Sequence, residues 1–149
     1  MEKILAIASD HAGYALKVQI KKHLDDKGIR YIDFGTNDTA SCHYPDFAHK
    51  LCEAIQKGEC DKGILVCGTG IGMSLVANKI HGIRAACCSE SYSAKLTRMH
   101  NDANVLCFGA RVIGEATALE MVDAFLDHEF EGGRHAERVA KITEIEARG

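Results

Sequence analysis

The segment Gly63–Gly72 carries the densest chemistry in the chain. A short apolar run ends at Cys67, and Gly68, Gly70 and Gly72 then alternate into a helical pattern. A strand that stops at a glycine-rich turn leaves backbone N–H groups free to converge on one point. A helix starting just beyond adds its own unpaired N–H groups and the positive end of its dipole. That arrangement suits an anion, either a phosphate or an oxyanion that forms during a reaction. With a thiol at its lip, the spacing points to an enzyme in which Cys67 is a nucleophile or a base.

Other reactive side chains fall where apolar runs give way to loops. Ser9-Asp10-His11 follows the first run, Cys88-Ser89-Glu90 the fourth and Gly109-Ala110-Arg111 the fifth, while His100-Asn101 closes the helical stretch between the last two. In open α/β sheets ligands bind at the carboxyl ends of the strands. The sequence therefore predicts an acid, an imidazole, a thiol, an amide and a guanidinium on one rim. Each residue also has a plainer role. Asp10 can cap a helix, His11 can be a surface residue, and His100-Asn101 can be a helix terminus. Cys67 can be a buried strand-end thiol, and Arg134 and Arg138 a solvated helix face. Their joint placement carries the prediction.

The elements that must position these groups read clearly. Candidate strands are Ile4–Ala8, Tyr31–Phe34, Gly63–Cys67, Arg84–Cys88 and Val105–Phe108, short and apolar throughout, as in a parallel sheet covered on both faces. Between them, Leu16, Ile20 and Leu24 repeat every four residues before Gly28, and Ala48, Leu51, Cys52 and Ile55 form a second stripe between Pro45 and Gly58. Met73–Ile80, Ser91–His100 and Glu115–Leu126 are further helices. This alternation predicts a doubly wound, Rossmann-like α/β fold: a five-stranded parallel sheet with helices on both faces. A C-terminal helix over His135–Arg148, with Val139, Ile142 and Ile145 on one side, either caps its own domain or reaches across to a second subunit.

With 149 residues, the chain is expected to form one domain over 1–149. A net charge of −3 gives no support for nucleic-acid or membrane-surface binding. No apolar run approaches the ~18 residues of a spanning helix, and no signal-peptide pattern opens the chain, so a cytoplasmic protein is expected. The seven cysteines contain no C-x-x-C pair, which excludes a zinc ribbon or thioredoxin-like motif and fits a reduced protein. A dinucleotide site is the competing reading, because Glu90 lies about twenty residues beyond the glycines, where a ribose-binding acid would sit. The spacing is G-x-G-x-G, however, and it follows the third strand rather than the first. A Walker A loop is absent, since no Gly-Lys-Ser/Thr follows.

Taken together, Ser9-Asp10-His11-Ala12-Gly13, Asp33-Phe34-Gly35, Tyr44-Pro45-Asp46, Cys67-Gly68-Thr69-Gly70-Ile71-Gly72, His100-Asn101 with Asn104, and Gly132-Gly133-Arg134-His135 with Arg138 closely resemble the type B ribose-5-phosphate isomerases. That family also includes allose-6-phosphate and galactose-6-phosphate isomerases. The resemblance runs nearly end to end. It implies an aldose–ketose isomerisation through a cis-enediolate, with no metal or other cofactor and Cys67 as the base. Thr69 and the amides of Gly68, Gly70, Ile71 and Gly72 would cradle the enediolate oxygens. His100 would open the sugar ring, with Asp10 and Thr69 near the same oxygens, and Asn101 would hold the sugar. His11, Arg111, Arg134 and Arg138 would bind the phosphate. The resemblance further implies a homodimer or a dimer of dimers with shared sites, His100, Asn101 and Arg111 coming from the partner. Galactose-type members divide these residues between two different chains. This chain carries both sets, which favours a ribose-type or allose-type enzyme acting alone.

Overall fold

The computed structural model describes residues 3–149. Strands and helices alternate in the order β1 (Leu5–Ser9), α1 (Tyr14–Asp26), β2 (Tyr31–Asp33), α2 (Tyr44–Gln56), β3 (Lys62–Cys67), α3 (Ile71–Ala77), β4 (Ala85–Cys87), α4 (Ser91–Asn101), β5 (Val105–Gly109), α5 (Glu115–Leu126) and α6 (Arg134–Arg148). All strand pairs are parallel, and the sheet order is β2-β1-β3-β5-β4. None of the described helices is long and apolar enough to cross a membrane.

The predicted doubly wound sheet is therefore present. Leu16, Ile20 and Leu24 of α1 join Met121, Val122 and Phe125 of α5 over one face of the sheet, against Ile7, Ile64, Val66 and Leu106. Ala48, Leu51 and Cys52 of α2 and Met73 and Ala77 of α3 cover the other, against Ala6, Ala8, Leu65 and Cys107. Successive side chains of a strand point to opposite faces, so each central strand feeds both cores. Most bounds shift by a single residue, and two elements differ more. Helix α3 begins at Ile71, inside the predicted glycine loop, and stops at Ala77. Strand β4 is shorter than predicted because Arg84 donates its N–H to the side-chain Oδ1 of Asn104 at 2.8 Å rather than to a strand neighbour.

Helix α6 lies along α4 and buries none of its residues. Its Ile142 and Ile145 face a cavity of about 650 Å³ that it shares with Ile83, Ala85 and Ala103, and Glu146 accepts the Gly82 N–H at 3.1 Å. Within the chain it packs beside α4, yet Ile142 and Ile145 stay largely exposed, an apolar side turned to solvent.

The chain leaves β1 toward β2 and returns on β1's other side as β3, so the switch point of the winding lies between β1 and β3. A crevice opens there at the carboxyl ends of the strands. Its floor is held by a charge inside the fold. Lys17 is fully buried, and its Nζ donates to Asp33 Oδ1 at 2.7 Å and to the Thr36 carbonyl. Lys21 reaches Asp33 Oδ2 at 2.9 Å. The turn so fixed is bonded to the end of β1: Ser9 N–H donates to the Gly35 carbonyl and Thr36 N–H to the Ser9 carbonyl, both at 2.7 Å.

Candidate active site

Cys67 is the last residue of β3 and only 5% exposed. The Gly70 N–H donates to its Sγ at 3.1 Å, and the Ile71 N–H donates to Thr69 Oγ1 at 3.2 Å. Two amides that the sequence assigns to an oxyanion cradle are thus directed at the thiol and hydroxyl of their own loop. They fix those two side chains in place, leaving Gly68 and Gly72 as the other glycines of the predicted cradle. Helix α3 has seven residues, so the loop amides matter more here than a long helix dipole.

The loop rides directly on the end of β5. Ala110 N–H donates to the Cys67 carbonyl at 2.9 Å and Arg111 N–H to the Gly68 carbonyl at 3.0 Å. This approach needs glycine on both sides. A Cβ on Gly70, whose φ is +83°, would sit 2.7 Å from the Phe108 backbone, and one on Gly109 would sit 2.5 Å from Thr69 Cα. Arg111 lies over the loop, its Nη1 only 3.4 Å from where a Gly68 Cβ would be.

Across the switch point, Asp10 is buried and its Oδ1 accepts the Gly13 N–H at 3.0 Å. It holds the turn that leads into α1 rather than capping the helix itself, whose N-cap is Gly13 with no side-chain cap. His11 Nδ1 accepts the Cys42 N–H at 3.3 Å, so the neutral ring carries its hydrogen on Nε2 as a donor. Asp10, His11, Cys67, Thr69, Gly68–Gly72 and Arg111 therefore gather at one end of the sheet.

His100 and Asn101 do not join them, and the prediction of a single rim is corrected. Helix α4 returns from the carboxyl end of β4 to the amino end of β5, so its last residues lie at the opposite pole. The bonds there agree: Gly63 N–H donates to the Asn104 carbonyl at 2.8 Å, and Arg98 Nη1 donates to the Ala103 carbonyl at 2.6 Å. A strand of five residues spans roughly 16 Å, which is the scale of the separation. The error came from reading a helix C-terminus as though it shared the strand-end rim.

The second pole has its own order. The rings of His100 and His135 stack with centroids 4.1 Å apart and planes 11° apart. Glu131 lies 3.9 Å from His100 Nε2 and 3.8 Å from His135 Nε2. Desolvation and the neighbouring His100, Arg134 and Arg138 hold the His135 imidazolium below its ordinary range, against the pull of Glu131. Arg134 and Arg138 are both exposed on the first turns of α6. Sequence reading gave no role to Glu131 and His135. Their i,i+4 spacing ahead of a helix was the available signal. Arg111, expected to reach a partner's site together with His100 and Asn101, lies over the Gly68 end of its own chain's Cys67 loop.

Comparison with known proteins bears on this arrangement. A profile of the ribose/galactose isomerase family matches residues 5–142. Ribose-5-phosphate isomerase B of Escherichia coli is 51% identical over 146 residues, 98% of each chain. D-erythrulose-4-phosphate isomerase of Pectobacterium atrosepticum is 48% identical over 139 residues, 93% of this chain and 91% of that one. The structure of Clostridium thermocellum ribose-5-phosphate isomerase B superposes with a TM-score of 0.96 at 54% identity, covering 97% of this chain and 98% of that one. That of the Mycoplasma genitalium enzyme with bound ribulose 5-phosphate gives 0.94 at 41% identity, covering 100% and 99%. A matched fold, a profile spanning nearly the whole chain and a half-identical relative agree: this chain is a member of the ribose/galactose isomerase family.

Proposed function

We propose that this isomerase interconverts ribose 5-phosphate and ribulose 5-phosphate through a cis-enediolate, at sites that two copies of the chain build together. The observation that carries the reading is the separation of the two groups of residues. Neither end of one chain holds a complete set, whereas the carboxyl-end crevice of one copy and the α4–α6 pole of another supply all of it. The crevice brings Asp10, His11, Cys67, Thr69 and Arg111. The partner brings His100, Asn101, Arg134 and Arg138. The family relatives support the substrate class.

In this scheme His100 moves a proton at the ring oxygen and frees the open-chain aldehyde. The Cys67 thiolate takes the proton from C2, and the C2–H electron pair moves into a C1–C2 double bond as O1 gains negative charge. The thiol then returns that proton to C1, while the hydrogen on O2 passes to O1 and the C2 carbonyl forms. Atoms and charge balance with no redox partner. An α-proton of a sugar is weakly acidic, so stabilising the enediolate is the larger task, and one donor is typically worth roughly 10²–10³ in rate. His11 and the arginines hold the phosphate, whose binding energy positions the reacting carbons.

Allose 6-phosphate is the second reading, since a six-carbon sugar needs only slightly more room. The 48% identical D-erythrulose-4-phosphate isomerase makes a shorter substrate equally worth testing. Purified protein supplied with each of the three sugar phosphates, without added metal or nucleotide, should show its highest kcat/KM with ribose 5-phosphate. A higher value with either alternative reassigns the substrate, and turnover of none of the three removes the proposal.

A further inference from the structure

His100, Glu131 and His135 offer three ligand atoms that all lie within 4.8 Å of one another. We propose that these residues bind one divalent transition-metal ion of the zinc class, and that its binding inhibits the isomerase by occupying His100 Nε2. Two imidazole nitrogens and one carboxylate oxygen form a donor set suited to zinc-class ions, while hard cations such as magnesium prefer oxygen alone. Three protein ligands leave a fourth position open to water.

The geometry is close to what such an ion needs. The Glu131 carboxylate lies at the edge of the stacked pair, with Oε1 3.9 Å from His100 Nε2 and Oε2 3.8 Å from His135 Nε2. Metal bonds of about 2.0–2.1 Å in a tetrahedron place the ligand atoms roughly 3.3 Å apart. The two carboxylate–imidazole separations therefore close by about 0.6 Å and the widest of the three by up to about 1.5 Å, and the rings give up their parallel stack so that both lone pairs can converge. The side chains of Glu131 and His100 are 44% and 36% exposed, which leaves them free to make that movement. The backbone beneath them is already tied, because Glu131 N–H donates to the Met99 carbonyl at 3.0 Å. The glutamate is thereby fixed beside the helix that carries His100.

The binding claim stands on the geometry of one chain; the inhibition claim also depends on the isomerase reading. The chain's seven cysteines compete for the same ions, so the test must separate nitrogen and oxygen ligation from sulfur. Chelator-treated protein is titrated with Co²⁺ as a coloured stand-in for zinc. One ion per chain should bind, with visible ligand-field bands and without intense near-ultraviolet sulfur-to-cobalt charge transfer. Glu131→Gln and His135→Ala should each weaken binding by about tenfold or more, since outer-shell changes alone have effects of that size. Glu131→Gln is nearly isosteric at an exposed position, so folding does not cloud its result. Absence of saturation, a sulfur charge-transfer band, or wild-type affinity in both variants overturns the site.

Zinc should also inhibit ribose 5-phosphate turnover reversibly toward chelator, with an inhibition constant raised by about tenfold in Glu131→Gln. Unchanged zinc sensitivity in that variant overturns the inhibitory role. If the metal-free protein turns over no sugar phosphate, the isomerase reading fails, and the Co²⁺ titration still decides the metal site.

Discussion

Lys17 Nζ and Asp33 Oδ1 meet at 2.7 Å beneath the turn that braces the end of β1, where Asp10 and His11 begin. The lysine side chain is wholly buried and the aspartate 16% exposed, so the pair is a structural charge inside the fold. Burial alone would raise the Asp33 carboxyl, but hydrogen bonds from Lys17, Lys21 and the Gly35 N–H outweigh it and hold the group below its ordinary 3.8. A depressed carboxylate contributes stability above its unfolded value, and that contribution is lost as pH falls through the lower native value. Asp33→Asn leaves the buried ammonium without its counter-charge and should cost about 3 kcal/mol at neutral pH, the scale of breaking a buried pair. Urea unfolding at pH 7 and pH 3 checks both points. The difference between wild type and variant should shrink in acid; a constant difference would mean that the pair does not titrate with folding.

The glycine loop offers a paired test. Ala at Gly70 would meet the Phe108 backbone at 2.7 Å with φ at +83°, whereas Ala at Gly68 meets only the mobile end of Arg111 at 3.4 Å. Left-handed strain alone costs roughly 1–2 kcal/mol, and overpacking against backbone adds about 1–3. Gly70→Ala should therefore lower thermal stability markedly and disturb Cys67, whose Sγ is held by the Gly70 N–H. Gly68→Ala should fold normally. Equal melting temperatures for the two variants would contradict the loop geometry.

The fold was legible because apolar strands, helix stripes and glycine stops repeat with little interruption. The Cys67 loop was legible too, because its glycines mark a close backbone approach. Lys17 was not. It sits beside Leu16 in a helix pattern, and a lysine is normally read as solvated; only the approach of Asp33 from β2 explains its burial. His100 was misplaced for a different reason. Its position follows from the direction of α4, which a list of segment ends does not convey. Its contact with His135 crosses from one helix to another and has no sequence signature at all.

Cys67→Ala should fold like wild type, since alanine fits a buried strand end, and should lose about 10³-fold or more in kcat, within the range of a missing general base. Cys67→Ser should also be poor, because a hydroxyl is a much weaker acid than a thiol and is rarely ionised. Circular dichroism separates folding from chemistry. An alanine variant within about tenfold of wild type would exclude this cysteine as the base.

The sharpest test concerns which copy supplies each residue. The single chain pairs Arg111 with the Cys67 loop and Arg134 with the His100 pole. If sites form between copies in that way, Cys67→Ala and Arg134→Ala proteins are each nearly inactive alone but rescue one another when unfolded and refolded together. In a mixed dimer, one site receives both defects and the other receives intact Cys67 from one copy and intact Arg134 from its partner. Random pairing makes half of the dimers mixed, each with one working site, so about a quarter of wild-type activity should return. Cys67→Ala mixed with Arg111→Ala should not recover, because every site then lacks one residue of the same crevice. If the second mixture recovers and the first does not, Arg111 crosses to the neighbouring subunit and the assignment reverses. If neither recovers although mass labelling confirms exchange of subunits, the sites are not shared between two copies.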